Sequence, residues 1–188
     1  MKDYIVKMNR KIQKYFSIAL NSLVEEKNWR DLGKIMAEPN EYIQRDWIND
    51  NTSLEVIKRD DFNGDPDASG YDLITIDGIL KIQSKSRVDK LHLEQTRRKS
   101  GKNTIKENNT GHVRYGVDEA DVFIFSRPNI DCYLNIKEWK YIVIPSWAIE
   151  DPNVPGYLYT TVPKKVWKKF QDNSEKRLED IYESVSNR

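Results

Sequence analysis

Tyr71-Asp72-Leu73-Ile74-Thr75-Ile76-Asp77-Gly78-Ile79-Leu80-Lys81-Ile82-Gln83-Ser84-Lys85-Ser86-Arg87 sets two apolar, β-branched runs on either side of Asp77-Gly78. Such runs around Asp-Gly predict a β-hairpin closed by a two-residue turn. Counting outward sets Ile76 against Ile79, Ile74 against Lys81 and Asp72 against Gln83. Directly opposed residues share a sheet face, and side chains repeat with period two. Asp72, Gln83 and Lys85 are therefore expected together on one face, at the open end of the hairpin. A carboxylate, an amide oxygen and an ammonium around one point suit a divalent metal beside a phosphate.

The rest of the chain frames that hairpin. Residues 8–27 predict a helix, because Ile12, Tyr15, Phe16, Ala19, Leu20, Leu23 and Val24 recur at three- and four-residue steps. A second short helix is expected over 31–37. A third spans 41–48, with Tyr42, Ile43 and Trp47 on one side. The stretch 49–70 reads as loop, interrupted by a short strand at Leu54-Glu55-Val56-Ile57. Leu91 and Leu93 alternate like a strand, although Val88 and Leu91 also suit a helical turn. Residues 97–110 carry almost no apolar side chain and read as a loop. Asp121-Val122-Phe123-Ile124-Phe125-Ser126 and Tyr141-Ile142-Val143-Ile144 are buried strands, the first closed by Arg127-Pro128-Asn129. Ser146 to Glu150 starts a helix, and residues 157–162 form a late strand or extended edge. Pro163 fits a first helical position. Val166, Trp167 and Phe170, then Leu178, Ile181, Tyr182 and Val185, make two apolar stripes beyond it. The expected fold class is α/β (α+β): a central mixed sheet with an antiparallel hairpin, flanked by helices.

With 188 residues the chain is expected to be one domain. Its helical part covers about 1–50, its sheet about 54–162 and its C-terminal helices 163–188. A lone Cys132 excludes an internal disulfide and a thiolate zinc cluster, and His92 and His112 are too few for a histidine metal site. No apolar run approaches the length of a membrane span. Met1-Lys2-Asp3-Tyr4 is charged and lacks a signal-peptide core, so the expected location is cytoplasmic. The net charge of +1 selects no partner, but its distribution does. From Lys81 to Arg114 ten Lys/Arg stand against three acids, a basic surface of the kind that phosphate contacts need.

Asp72 at a strand start, followed by Gln83-Ser84-Lys85 on the next strand, resembles the motif of the PD-(D/E)XK nuclease superfamily, which includes most type II restriction endonucleases. Gln83 stands where that family usually has an acid. Pro66-Asp67 offers a literal Pro-Asp upstream, but the hairpin register favours Asp72. The resemblance runs from Tyr71 to about Asp151. Tyr115-Gly116-Val117-Asp118-Glu119-Ala120-Asp121 is similar to the tyrosine-rich, acidic segment that often precedes the family's fourth strand.

The resemblance implies a restriction-endonuclease-like fold and Mg²⁺-dependent, site-specific hydrolysis of double-stranded DNA. Asp72 would be the principal metal ligand, Gln83 would add a carbonyl oxygen, and Lys85 would orient the attacking water or neutralise the phosphate. An N-terminal acid, Glu41 or Glu25, would complete the metal site. Arg87, Arg97, Arg98, Lys99 and Lys102 are the expected DNA contacts. A homodimer is implied as well, because a two-fold protein matches a palindromic site. Its interface would use the N-terminal helix or the Leu178-Ile181-Tyr182-Val185 stripe. Within the same fold a homing endonuclease or a junction resolvase is the neighbouring reading. A non-catalytic DNA-binding protein on a nuclease-like fold is the alternative from another class.

Overall fold

Among the described residues the two longest strands contain the apolar runs 122–125 and 141–144, and the architecture is built around them. The computed structural model describes residues 22–23, 25–26, 37–63, 70–86, 91, 93, 95–96, 112–130 and 136–188. Helix α1 (Ala37–Asn51) leads to β1 (Val56–Lys58), α2 (Arg59–Asn63), β2 (Leu73–Thr75) and β3 (Lys81–Ser86). Then come β4 (Gln95–Thr96), β5 (His112–Val113), β6 (Val122–Ile130) and β7 (Ile136–Pro145). Two 3-10 turns, Ser146–Ile149 and Lys168–Phe170, flank α3 (Lys164–Trp167), and α4 (Ser174–Ser186) closes the chain. The main sheet has the order β1-β2-β3-β6-β7, with β4 and β5 paired separately. β3 and β6 run parallel, and every other pairing is antiparallel. This is a mixed sheet in an α/β protein.

Both faces of the sheet are covered, so the parts of β6 and β7 over 122–125 and 141–144 read as continuous apolar runs instead of alternating. Ile74, Phe123, Phe125, Ile142 and Ile144 pack on one face with Leu91, Leu93, Tyr115 and Leu158. Leu73, Ile82, Val122, Ile124 and Val143 pack on the other with Trp47, Ile48, Leu178 and Ile181. α1 turns Asn40, Ile43, Gln44, Trp47 and Ile48 inward at helical spacing, and Trp47 stacks on Tyr141 with ring centres 4.1 Å apart. Two of those five buried positions are amides, which an apolar-stripe reading passes over. Tyr42, expected on that side, is only partly buried and lies under Lys58 Nζ at 4.6 Å.

The hairpin register is the one expected: Leu73 faces Ile82 and Ile74 faces Lys81. Its turn is longer than two residues. Thr75 N–H donates to Leu80 O at 3.2 Å, and Gly78, at φ 77°, donates to Thr75 O at 2.8 Å. A two-residue type I′ turn needs positive φ at both Asp77 and Gly78, and Asp77 does not have it. Side chains hold the longer loop instead. Thr75 Oγ1 donates to Asp77 Oδ1 at 2.6 Å and accepts from Leu80 N–H at 2.9 Å. Ile79 N–H donates to the same Asp77 oxygen at 3.0 Å, and Tyr182 OH of α4 reaches Asp77 Oδ2 at 2.5 Å.

Other boundaries shift by a few residues. β6 continues through Pro128 to Ile130, because pairing with β7 carries it past the expected stop. Ser146 to Ile149 make a 3-10 turn, and Pro163 stands just before α3 as its cap. Leu91 and Leu93 take the extended option: Leu93 N–H donates to Thr160 O at 3.0 Å, and Val162 N–H to Leu91 O at 2.9 Å. The helices expected over 8–27 and 31–37, and the loop over 97–110, lie almost wholly outside the described residues. Among the described residues no helix is long and apolar enough to cross a membrane.

Candidate active site

β3 is the central strand, bonded to β2 on one side and to β6 on the other. Period two sends Ile82 and Ser84 to the α1 face, and Gln83 and Lys85 to the face of Phe123 and Phe125. Asp72 sits where the β2 ladder ends. Its N–H donates to Ile82 O at 2.9 Å, and its carbonyl accepts Arg59 N–H at 3.0 Å. Ser84 N–H, which a continued ladder would give to a backbone carbonyl, donates to Asp72 Oδ2 at 2.9 Å. The carboxylate thus takes over a backbone position in the sheet.

Gln83 is 5% exposed and meets Asp72 directly. Its Nε2 donates to Asp72 Oδ2, and also to Ser84 O at 3.3 Å. Both partners are acceptors only, so the amide nitrogen belongs on that side and Oε1 points away. Lys85 Nζ donates to Tyr115 OH at 2.5 Å. Burial pushes the Asp72 carboxyl above its usual range. The charge of Lys85 opposes that rise most, followed by the Ser84 N–H, Arg59 and Lys58.

The structure thus brings Asp72 and Gln83 into contact and sets Lys85 where its charge acts on Asp72. Glu41 Oε2 pairs with Lys58 Nζ at 3.0 Å. Lys58 precedes Arg59, so Glu41 is one ion pair removed from the backbone that holds Asp72. Glu25 is exposed. Asp67, Arg87, Arg97, Arg98, Lys99 and Lys102 lie outside the described residues.

The sequence pattern assigns no role to three residues of the cluster, although Tyr115 heads the acidic segment before β6. Ser84 supplies both an N–H and a carbonyl, which any residue type provides. Arg59 acts through its N–H and its charge from β1's end. Tyr115 is 30 positions from Lys85, so no local spacing links them.

The oxygen set fits a small hard cation in one respect. Asp72 Oδ2 and Ser84 O both accept from the single atom Gln83 Nε2, so one point reaches both oxygens. Turning the Gln83 amide over would instead set Oε1 beside those two oxygens, and Mg²⁺ takes few protein ligands, all oxygen. Among the described residues no three His, Cys, Asp or Glu gather. Comparison with protein-family models, with curated proteins and with solved structures gives no match for this chain.

Proposed function

We propose that this chain is a cytoplasmic, Mg²⁺-dependent, site-specific double-strand DNA endonuclease. It acts as a homodimer in the manner of type II restriction enzymes, on a restriction-endonuclease-like fold. The observation that carries the reading is the convergence of Asp72 Oδ2 and Ser84 O on one point, on the strand face that also carries Lys85. The element order supports it: α1, the antiparallel meander β1-β2-β3, then β6 parallel to β3.

Bound Mg²⁺ would supply an activated water and neutralise phosphate charge, held by Asp72, the Ser84 carbonyl and Gln83 Oε1. Asp72 must be ionised for that role. Its carboxyl is raised by burial, so cation affinity increases with pH across the range in which Asp72 titrates. Lys85 presents a fixed positive charge on the same face, suited to the crowded, doubly charged phosphate of the transition state. The basic stretch from Lys81 to Arg114 would contact the DNA backbone.

Plasmid cleavage tests the reading. With Mg²⁺ the chain is expected to give discrete fragments, and Lys85→Ala to slow cutting by about 10²–10³-fold. A smear would mean an unspecific nuclease, and preference for branched DNA a junction resolvase. Binding without cutting favours the second reading, a non-catalytic DNA-binding protein. One observation supports that second reading: Gln83 already satisfies Asp72 from within the hairpin. Gln83→Glu separates the two. It should tighten Mg²⁺ binding if this point holds a cation, and do nothing for ion binding otherwise.

A further inference from the structure

Lys85 is a long, unbranched cation, and its end is held. Its Nζ lies 2.5 Å from Tyr115 OH and 4.7 Å from the centre of that ring. The much shorter distance to oxygen puts the ammonium beyond the hydroxyl and not over the ring face. The contact is therefore a charge-assisted hydrogen bond. Tyr115 itself has little freedom. It is 4% exposed, its ring meets Phe123 edge-on at 5.1 Å, and its carbonyl accepts Leu158 N–H at 2.9 Å. The turn that follows is pinned as well, with Gly116 N–H donating to Glu119 Oε1 at 3.1 Å. Gly70 packs so closely there that a Cβ on it would stand 2.6 Å from Glu119 Cβ. Two residues after Gly70 comes Asp72. Asp72 and Tyr115 thus belong to one frame, and both act on Lys85: one through charge, the other through a lone pair.

The geometry points to Tyr115 as a positioning residue, whose hydroxyl holds the Lys85 ammonium in place before DNA arrives. Its consequence for cutting rests on the nuclease reading above. An ammonium carries three hydrogens, and Tyr115 takes one of them, which fixes the directions of the others. A flexible lysine then reaches the scissile phosphate with its rotamers already chosen, and such preorganisation acts on the chemical step.

Tyr115→Phe keeps the ring against Phe123 and removes only the acceptor. Two readouts are expected to move. In the DNA-free protein, trace acylation followed by mass spectrometry should show Lys85 labelling several-fold faster than in the wild type. The exposed Lys168 and Lys169 serve as references, so only a rise confined to Lys85 counts as release of its ammonium. In cleavage assays kcat should fall about 10-fold or more with KM for DNA unchanged. Adding Tyr115→Phe to Lys85→Ala should cost nothing further, whereas a purely structural role would make the two losses add. Unchanged Lys85 labelling in a folded variant, a general rise at all three lysines, additive losses or a raised KM overturns the proposal. Faster Lys85 labelling in a chain that cuts no DNA supports the Tyr115 contact and overturns the nuclease reading alone.

Discussion

The two faces of β3 treat buried polar groups differently. On the Phe123 face, Gln83 and Lys85 direct their hydrogens to Asp72, Ser84 O and Tyr115. On the α1 face, Asn40 donates to Ser84 Oγ at 2.8 Å, and Gln44 to Ile124 O at 3.0 Å and Ser126 Oγ at 2.7 Å. Asn40 Oδ1 and Gln44 Oε1 are left without a protein partner. A buried acceptor in that state costs about 1–3 kcal/mol. The first face gathers charge and compensates it in part. The second is uncharged and under-compensated, and its amides fix where α1 sits along the sheet at the expense of stability. Polar burial on one side thus builds a site, and on the other sets a helix register.

The sharpest break of that comparison is Asp72→Asn. It should reduce cutting by about 10²-fold or more while leaving the fold as stable or more stable at pH 7. The sign follows from burial, which raises the folded carboxyl above the ordinary aspartate range. Between the unfolded and folded values the native state binds more protons. The stabilising contribution is therefore full below the unfolded value and is lost as pH rises through the folded one. The stability gap in favour of the Asn variant should widen from pH 4 to pH 7, read from urea midpoints. A variant that melts lower at pH 7 would mean the charge on this face is fully compensated by its partners.

Gly70→Ala comes next. At φ 108°, with its new Cβ 2.8 Å from Glu119 O, it should cost about 2–4 kcal/mol and disturb the site face while leaving α1 in register. Chemical denaturation with Trp47 fluorescence as the α1 reporter measures both. On the α1 face, Gln44→Leu should cost about 1–2 kcal/mol, because Ile124 O and Ser126 Oγ lose their donor. Adding Ser126→Ala should recover part of that loss, since removing both partners is cheaper than removing one. Full additivity would show that the two faces do not differ in the way described. The smallest expected effect is Tyr182→Phe, which frees the hairpin loop from α4. Faster hydrogen exchange at Ile79, with the thermal midpoint nearly unchanged, would register it.

The site was partly legible in the chain because one short-range rule controlled it. Asp77-Gly78 fixed where the hairpin reverses, and period two carried that register out to Asp72 and Gln83. The turn's length escaped because Thr75 Oγ1 and Asp77 Oδ1 close the longer loop, and such side-chain bonds are not written in turn propensity. Asn40 and Gln44 escape for a related reason: polar residues interrupt an apolar stripe even where they are more deeply buried than Ile43 and Trp47 within it. Tyr115 depended on the return of a distant segment to the sheet, which local pattern does not encode. β1 was read two residues early, and β6 too short, because pairing partners and not propensity decide where strands stop.

β3's place at the middle of the sheet has a practical corollary. A strand bonded on both sides opens when the sheet itself comes apart, whereas termini and edges fray at lower free energy. Heating or denaturant should therefore abolish the Asp72–Gln83 contact and the fold in a single transition. No partly melted, inactivated form should precede it, and the protein should lose its competence in one step.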